Sequence, residues 1–240
     1  MLPVFLPKEG AHFPDPDQAN PEGLVAIGGS LSHERLLRAY SMGIFPWYGA
    51  DTPILWWSPD PRCVLLPQDL HISRSLRRTL KTARFTITLN QAFAEVIRRC
   101  AESSRPGQSG TWLVPEMIAA YIGLHQRGFA LSAETWLNGE LVGGLYGVHL
   151  GGVFYGESMF HSEPNASKAA FVHICHWLAQ NGCTLIDCQQ ASRYMLHFGA
   201  RNMPRHEFLR RLSNAILDTP IPAQTSGIVL SRTEDTHVMP

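Results

Sequence analysis

The sequence predicts an α+β protein: a small N-terminal unit followed by a larger domain in which helices cover an antiparallel meander. Three observations predict it. The stretch "GIFPWYGADTPILWWSPDPR" (Gly43–Arg62) crowds prolines 46, 53, 59 and 61 among Phe45, Trp47, Tyr48, Trp56 and Trp57, which forbids a long helix and marks off a separate small unit. Beyond it, the spacing of apolar residues switches repeatedly between helical and strand periods. Finally, Asn138-Gly139 sits between two β-rich runs, the strongest short signal for a hairpin.

Element by element, residues 1–30 are rich in proline and glycine and predict irregular chain. Ser32 is a suitable N-cap for a helix through Leu36, Leu37 and Tyr40, with Gly43 as its stop. "PILWWS" and "RCVLLP" read as short extended runs, and the N-terminal unit is expected to span 1–62. The second domain, 63–240, opens with a helix at about 72–82, the alternating strand "FTITLN" and an amphipathic helix at 91–102. The polar loop "SSRPGQSGTW" leads to a helix begun by Pro115, which suits the first helical position. "LSAETWL", "ELVGGLYGV" and "GGVFYGESMF" form a three-strand meander. A helix at about 165–180, the strand "TLIDCQ" and a helix at about 205–217 complete the domain, with the tail after about 220 loosely held. This order resembles the acyltransferase fold of the N-acetyltransferase superfamily.

Composition bounds the function. A hydrophobic fraction of 45% and a charged fraction of 17% over 240 residues describe an ordinary globular chain. Twenty basic residues balance twenty acidic ones, so any polyanion must be met by a local patch rather than a global field. Five cysteines, none in C-x-x-C spacing, predict neither a disulfide framework nor a zinc ribbon. The N-terminus has no basic region followed by a long apolar run, and no segment reaches eighteen apolar residues, so the expectation is a cytoplasmic protein without membrane attachment.

Several constellations carry potential chemistry. Arg74, Arg77, Arg78 and Lys81 fall on one helical face, Arg84 follows, and no Asp or Glu stands between Leu70 and Ala94. That stripe is either a solvated face or a phosphate-binding one. In "LIDCQQ" strand alternation puts Asp187 and Gln189 on one face, a pair able to relay a proton or simply to tie down a loop. "GESMF" approaches a nucleophile elbow, but Phe160 replaces the required glycine and a strand precedes it rather than a helix following; Ser158 is rejected as a nucleophile. His173 and His176 lack a third ligand at sensible spacing, so packed histidines are expected and no metal.

Taken together, "GIFPWYGADTPILWWSPDPR", "HISRSLRR", "GTWL", "LVGGLYGV", "FYGESMF", "NASK" and "LIDCQ" resemble the leucyl/phenylalanyl-tRNA–protein transferase family, in order and spacing, from about Phe13 to Leu217. The resemblance implies transfer of leucine or phenylalanine (methionine as a further candidate) from charged tRNA to proteins beginning with Arg or Lys, which are thereby marked for N-end rule degradation. It implies an acetyltransferase-like domain that uses no coenzyme A and no other cofactor. Trp47 and Trp112 match the family's tryptophans at the terminal adenosine; Glu157, Asp187 and Gln189 match its catalytic centre. Leu145, Phe154, Met159, Phe171 and Ile186 match the pocket for the aminoacyl side chain, and Arg74, Arg77, Arg78, Lys81 and Arg84 the tRNA-binding cluster. Where the family commonly shows a histidine after "DCQ", this chain has Tyr194.

The chemistry agrees with that implication. An aminoacyl ester is already activated, so neither ATP nor metal is required, and holding amine and ester together supplies much of the rate. Asp187, acting through Gln189, is expected to polarise the incoming amine, and backbone N–H groups to hold the oxyanion. A coenzyme-A-dependent N-acetyltransferase is the first rival; "MFHSEPNASKAA" lacks the glycine run its pyrophosphate loop needs. A non-catalytic RNA-binding module is the second, and leaves Asp187, Gln189 and the apolar pocket unexplained. A monomer is expected.

Overall fold

The computed structural model describes residues 3–103, 113–218 and 228–231. The first unit is built on a four-stranded sheet in the order β1-β2-β4-β3, from β1 (Val4–Leu6), β2 (Leu24–Gly28), β3 (Phe45–Pro46) and β4 (Leu55–Trp57). The expectation of irregular chain over 1–30 therefore needs correction: β1 and β2 pair in parallel, Val4 with Ala26 through Leu6 with Gly28. Such a pairing bridges a long connection, and local propensity does not report it.

Helix α1 (His33–Ser41) starts at Ser32, whose hydroxyl accepts the Arg35 N–H at 3.3 Å, and ends before Gly43. Gly43 has φ +71°, and a Cβ there would lie 2.8 Å from the Phe208 ring, so only glycine fits both the turn and the contact. Trp56 is fully buried in this unit and donates its indole N–H to the Gly28 carbonyl at 2.9 Å.

The larger sheet contains, among the described residues, eight strands in the order β11-β5-β10-β9-β8-β7-β6-β12. Its strands are β5 (Arg62–Leu65), β6 (Thr86–Leu89), β7 (Ala130–Leu137), β8 (Glu140–Leu150), β9 (Val153–His161), β10 (Leu185–Gln189), β11 (Arg201–Met203) and β12 (Ile228–Ser231). The hairpin turn joins β7 and β8 as expected, with Asn138 at φ +52° and Gly139 at φ +83°. The meander is longer than expected, because β6 pairs antiparallel with β7. Beyond residue 220, β12 pairs with β6, a second edge contact that the polar tail does not announce.

Helices α3 (Phe93–Glu102), α4 (Pro115–Gln126) and α7 (Arg205–Asp218) share a core with the N-terminal unit and one sheet face, through Tyr40, Trp56, Val96, Tyr121, Tyr146 and Phe208. Helix α5 (Ala166–Gln180) and α2 (Arg74–Lys81) cover the other face, with Leu131, Leu145, Phe154 and Ile186 beneath them. The start of α5 lies so close to β8 that a Cβ on Gly143 would sit 2.6 Å from that of Ala166. The short helix α6 (Arg193–His197), capped by Ser192, was not expected; five residues hold too little periodicity to show. Among the described residues no helix is long and apolar enough to cross a membrane.

Candidate active site

The parallel pairing of β9 and β10 lasts three residues: Leu185 with Val153, Ile186 with Phe154, Asp187 with Tyr155. Beyond it the strands part. β9 continues to His161, while β10 bulges against β5 between Asp187 and Gln189, and Gln189 takes φ +60°. A cavity of about 930 Å³ opens at this fork, and Gly156 to His161 on one side and Cys188 to Gln190 on the other line it. Leu145, Phe154, Met159, Phe171 and Ile186, drawn from three strands and α5, all stand in its wall. These five give that wall an apolar surface.

The polar end of the cavity holds Glu157 and Gln189. Glu157 Oε1 accepts from the Tyr40 hydroxyl at 2.8 Å and from Gln189 Nε2 at 3.0 Å, and Oε2 accepts from the Tyr121 hydroxyl at 3.2 Å. The two tyrosine oxygens are themselves 2.6 Å apart. Two hydroxyl protons cannot fill all three contacts at once; when Glu157 is protonated it can donate through Oε2 to Tyr121, which frees the Tyr121 proton for Tyr40. Burial pushes Glu157 up to about 7, with the Asp187 charge adding to the rise and the Tyr40 hydrogen bond opposing it. A carboxyl that exchanges its proton near neutrality is the arrangement a general base needs.

Asp187 stands behind this pair and does not line the cavity. It is fully buried, and Arg62, equally buried, clamps it twice: Nε to Oδ1 at 2.8 Å and Nη2 to Oδ2 at 2.6 Å. Oδ1 also accepts the backbone N–H of Gln189 at 2.8 Å, which fixes the bulge and aims the Gln189 amide at Glu157. Arg62 donates a third bond to the Gly43 carbonyl at 3.0 Å and lies between the rings of Phe45 and Phe208. One charge pair therefore ties the N-terminal unit, α7 and the site together.

Sequence reasoning missed Arg62, Tyr40 and Tyr121. A signal existed for the first: Arg62 and Asp187 are each a lone charge in an apolar strand, "RCVLL" and "LIDC", and two lone opposite charges of that kind need one another. The tyrosines look like ordinary core aromatics until the fold brings their hydroxyls to one carboxylate.

Trp47 is 41% exposed on the loop after β3 and does not line the cavity; its ring meets Trp57 edge-on at 5.9 Å. Trp57 donates its indole N–H to the Trp47 carbonyl at 2.7 Å. The neighbouring Tyr48 hydroxyl donates to Glu116 at 2.6 Å, joining this loop to the start of α4. Trp112 lies outside the described residues. On α2, Arg74, Arg77, Arg78 and Lys81 are all exposed and form no ion pair among the described residues. Arg84 instead meets Glu163 at 2.7 Å. His173 contacts the Ala169 carbonyl at 2.8 Å within its own helix.

The model of the family described as leucyl/phenylalanyl-tRNA protein transferase matches residues 64–213, and that of its N-terminal domain matches residues 29–60. The chain belongs to the leucyl/phenylalanyl-tRNA protein transferase family. A relative of that name from Anaeromyxobacter sp. (strain Fw109-5) is 60% identical, over 90% of this chain and 91% of that one. Another, from Nitratidesulfovibrio vulgaris (strain DP4), is 58% identical, over 90% of this chain and 92% of that one. The matched N-terminal residues include α1, and therefore Tyr40. Among solved structures, that of L-PGS from Bacillus licheniformis is 17% identical with a TM-score of 0.41, covering 69% of this chain and 55% of that one. A GCN5-related N-acetyltransferase from Kribbella flavida is 11% identical with a TM-score of 0.36, covering 70% of this chain and 59% of that one. Likenesses at those scores decide nothing about this chain; the family assignment rests on the relatives and on the two matched segments.

Proposed function

We propose that the chain is an aminoacyltransferase that moves leucine or phenylalanine from its charged tRNA to the α-amine of a protein beginning with Arg or Lys, in the cytoplasm, as a monomer, and so marks that protein for N-end rule degradation. One observation carries the reading: an apolar cavity ends on a carboxyl poised near neutrality, with the amide of Gln189 beside it.

The amine nitrogen attacks the ester carbonyl carbon, a C–N bond forms, and the bond from that carbon to the ribose oxygen breaks. The amine arrives with a reference pKa of about 7.7–8.0 and needs only a modest pull to lose its proton. The amine first gives its ammonium proton to solvent; the Gln189 carbonyl oxygen accepts a hydrogen bond from the neutral nitrogen as it attacks, and ionised Glu157 takes the second proton, shed once the C–N bond forms, which the departing ribose oxygen then receives. Asp187 acts one step back as a positioning residue, through the Gln189 backbone. Trp47, held by Trp57, offers a flat face to the terminal adenosine, with Trp112 as its proposed companion. The unpaired cations of α2 meet tRNA phosphates, and the apolar cavity chooses the amino acid.

The test is transfer from leucyl- or phenylalanyl-tRNA to an Arg-initiated peptide, read by the mass of the product. A folded protein that leaves the peptide unchanged, while charged tRNA is present in excess, ends the proposal. Replacing Arg77 and Arg78 with Ala is expected to lower the salt dependence of tRNA binding, by up to about 0.7 in logarithmic slope for each phosphate that is no longer neutralised. Binding of a short aminoacyl-adenosine should not change.

A further inference from the structure

A second cavity, of about 340 Å³, lies beside the first, and Tyr194 stands in the wall of both. Its size is at the small end of ligand pockets, about 300–1,000 Å³. His71, Lys168, Arg193 and His197 line it together with the rings of Tyr194 and Phe198, and among the described residues no carboxylate does. Arg193 is exposed and forms no ion pair among the described residues. Lys168 Nζ donates to the Asn165 side-chain oxygen at 3.2 Å, a neutral partner, and forms no ion pair among the described residues. The acid closest along the chain to His71, Asp69, is taken by Arg201 at 3.3 Å. Half-buried Tyr194 meets Phe198 at 5.2 Å and 59°; Phe198 is itself buried against Phe171, so Tyr194 is the ring this wall can offer for stacking.

Position gives this cavity its meaning. Ser73, which caps α2, lines it, so the basic stripe on α2 runs directly to its rim. From there Tyr194 leads into the apolar cavity. A polyanion lying on α2 thus has one continuous cationic route to the site. On the transferase reading above, we propose that the smaller cavity receives the phosphodiester immediately 5′ of the donor's terminal nucleoside, together with the base before it. Lys168 and Arg193 hold the phosphate, Tyr194, backed by buried Phe198, the base, and the donor is gripped as a dinucleotide rather than through its last nucleoside alone.

Two synthetic donors test this, phenylalanyl-adenosine and the phenylalanyl ester of cytidylyl-(3′→5′)-adenosine, each with an Arg-initiated peptide at low salt. The wild-type KM should be about tenfold lower for the dinucleotide, the scale of one charge-assisted hydrogen bond. Lys168→Ala with Arg193→Ala should bring the two KM values together, while kcat/KM for phenylalanyl-adenosine stays at the wild-type value. The charge-retaining pair Lys168→Arg and Arg193→Lys should keep most of the preference, which shows that charge rather than packing is responsible. A dinucleotide preference that survives the double alanine variant, or a wild type that treats both donors alike, overturns the proposal. Transfer from neither donor by folded wild type would remove the transferase reading, and this one with it.

Discussion

Glu157 shows how one buried side chain trades stability for reactivity. Its carboxyl is raised to about 7 in the folded chain, so unfolding releases a proton wherever the pH lies between the ordinary carboxylate value and 7. The ionised form on which the proposed mechanism calls is thus the destabilising one. Glu157→Gln is expected to lower kcat/KM by on the order of 100-fold and to remove the ascending limb near pH 7, leaving only that of the acceptor amine. A variant with wild-type rate and an unchanged pH profile would take Glu157 out of the mechanism. Asp187 behaves differently, because both its oxygens are spent on Arg62 and on the Gln189 backbone. Asp187→Ala leaves Arg62 buried without its partner, and the expected loss of unfolding free energy in denaturant is about 3–5 kcal/mol. Any fall in rate must therefore be measured at a temperature where that variant is still folded.

At the scale of elements, the fork between β9 and β10 makes the site. Two parallel strands that separate after three pairs leave their backbone and side chains facing an open wedge, and the bulge at Cys188 turns the last residue of β10 into it. The aromatic loop works by a similar division of labour. Trp56 is core; Trp57 is a brace, its indole N–H bonded to the Trp47 carbonyl; Trp47 is the surface ring. Trp56→Ala should cost about 3–5 kcal/mol of stability, as large aromatic truncations in cores do. Trp47→Ala should leave stability nearly unchanged and weaken binding of an aminoacyl-adenosine mimic by about 1–3 kcal/mol, the worth of one stacked base. Equal affinity of the mimic for wild type and the Trp47 variant, measured calorimetrically, would discard stacking at that position.

The whole molecule carries a second buried titrating group that opposes Glu157. His149, on β8, is 1% exposed, neither ring nitrogen has a hydrogen-bond partner among the described residues, and burial pushes it down to about 4. An unfolded chain protonates this ring below its ordinary value of 6.5 while the folded chain does not until about 4, so His149 removes stability as pH falls through that window. Glu157 does the reverse, removing stability as pH rises from its ordinary 4.5 to about 7. Between these limits the two contributions oppose one another. Relative to wild type, Glu157→Gln should therefore make the unfolding free energy rise more steeply with pH, and His149→Leu less steeply, each by on the order of 3 kcal/mol across the window. Slopes equal to that of the wild type in both variants would contradict this account.

The alternation of "FTITLN", the Asn138-Gly139 turn, the cap at Ser32 and the apolar runs of α3 and α5 are local features, set by neighbours within a few residues. For that reason the sequence by itself determined most of the elements and the α+β class, and motifs kept in order and spacing determined the family. Partners far apart in the chain were decided only by the tertiary structure: β1 against β2, β12 against β6, Arg62 against Asp187, and Tyr40 and Tyr121 against Glu157. Nothing within reach of a single segment encodes which of many buried hydroxyls or charges will meet, because the energy of each such contact exists only after the intervening chain has folded.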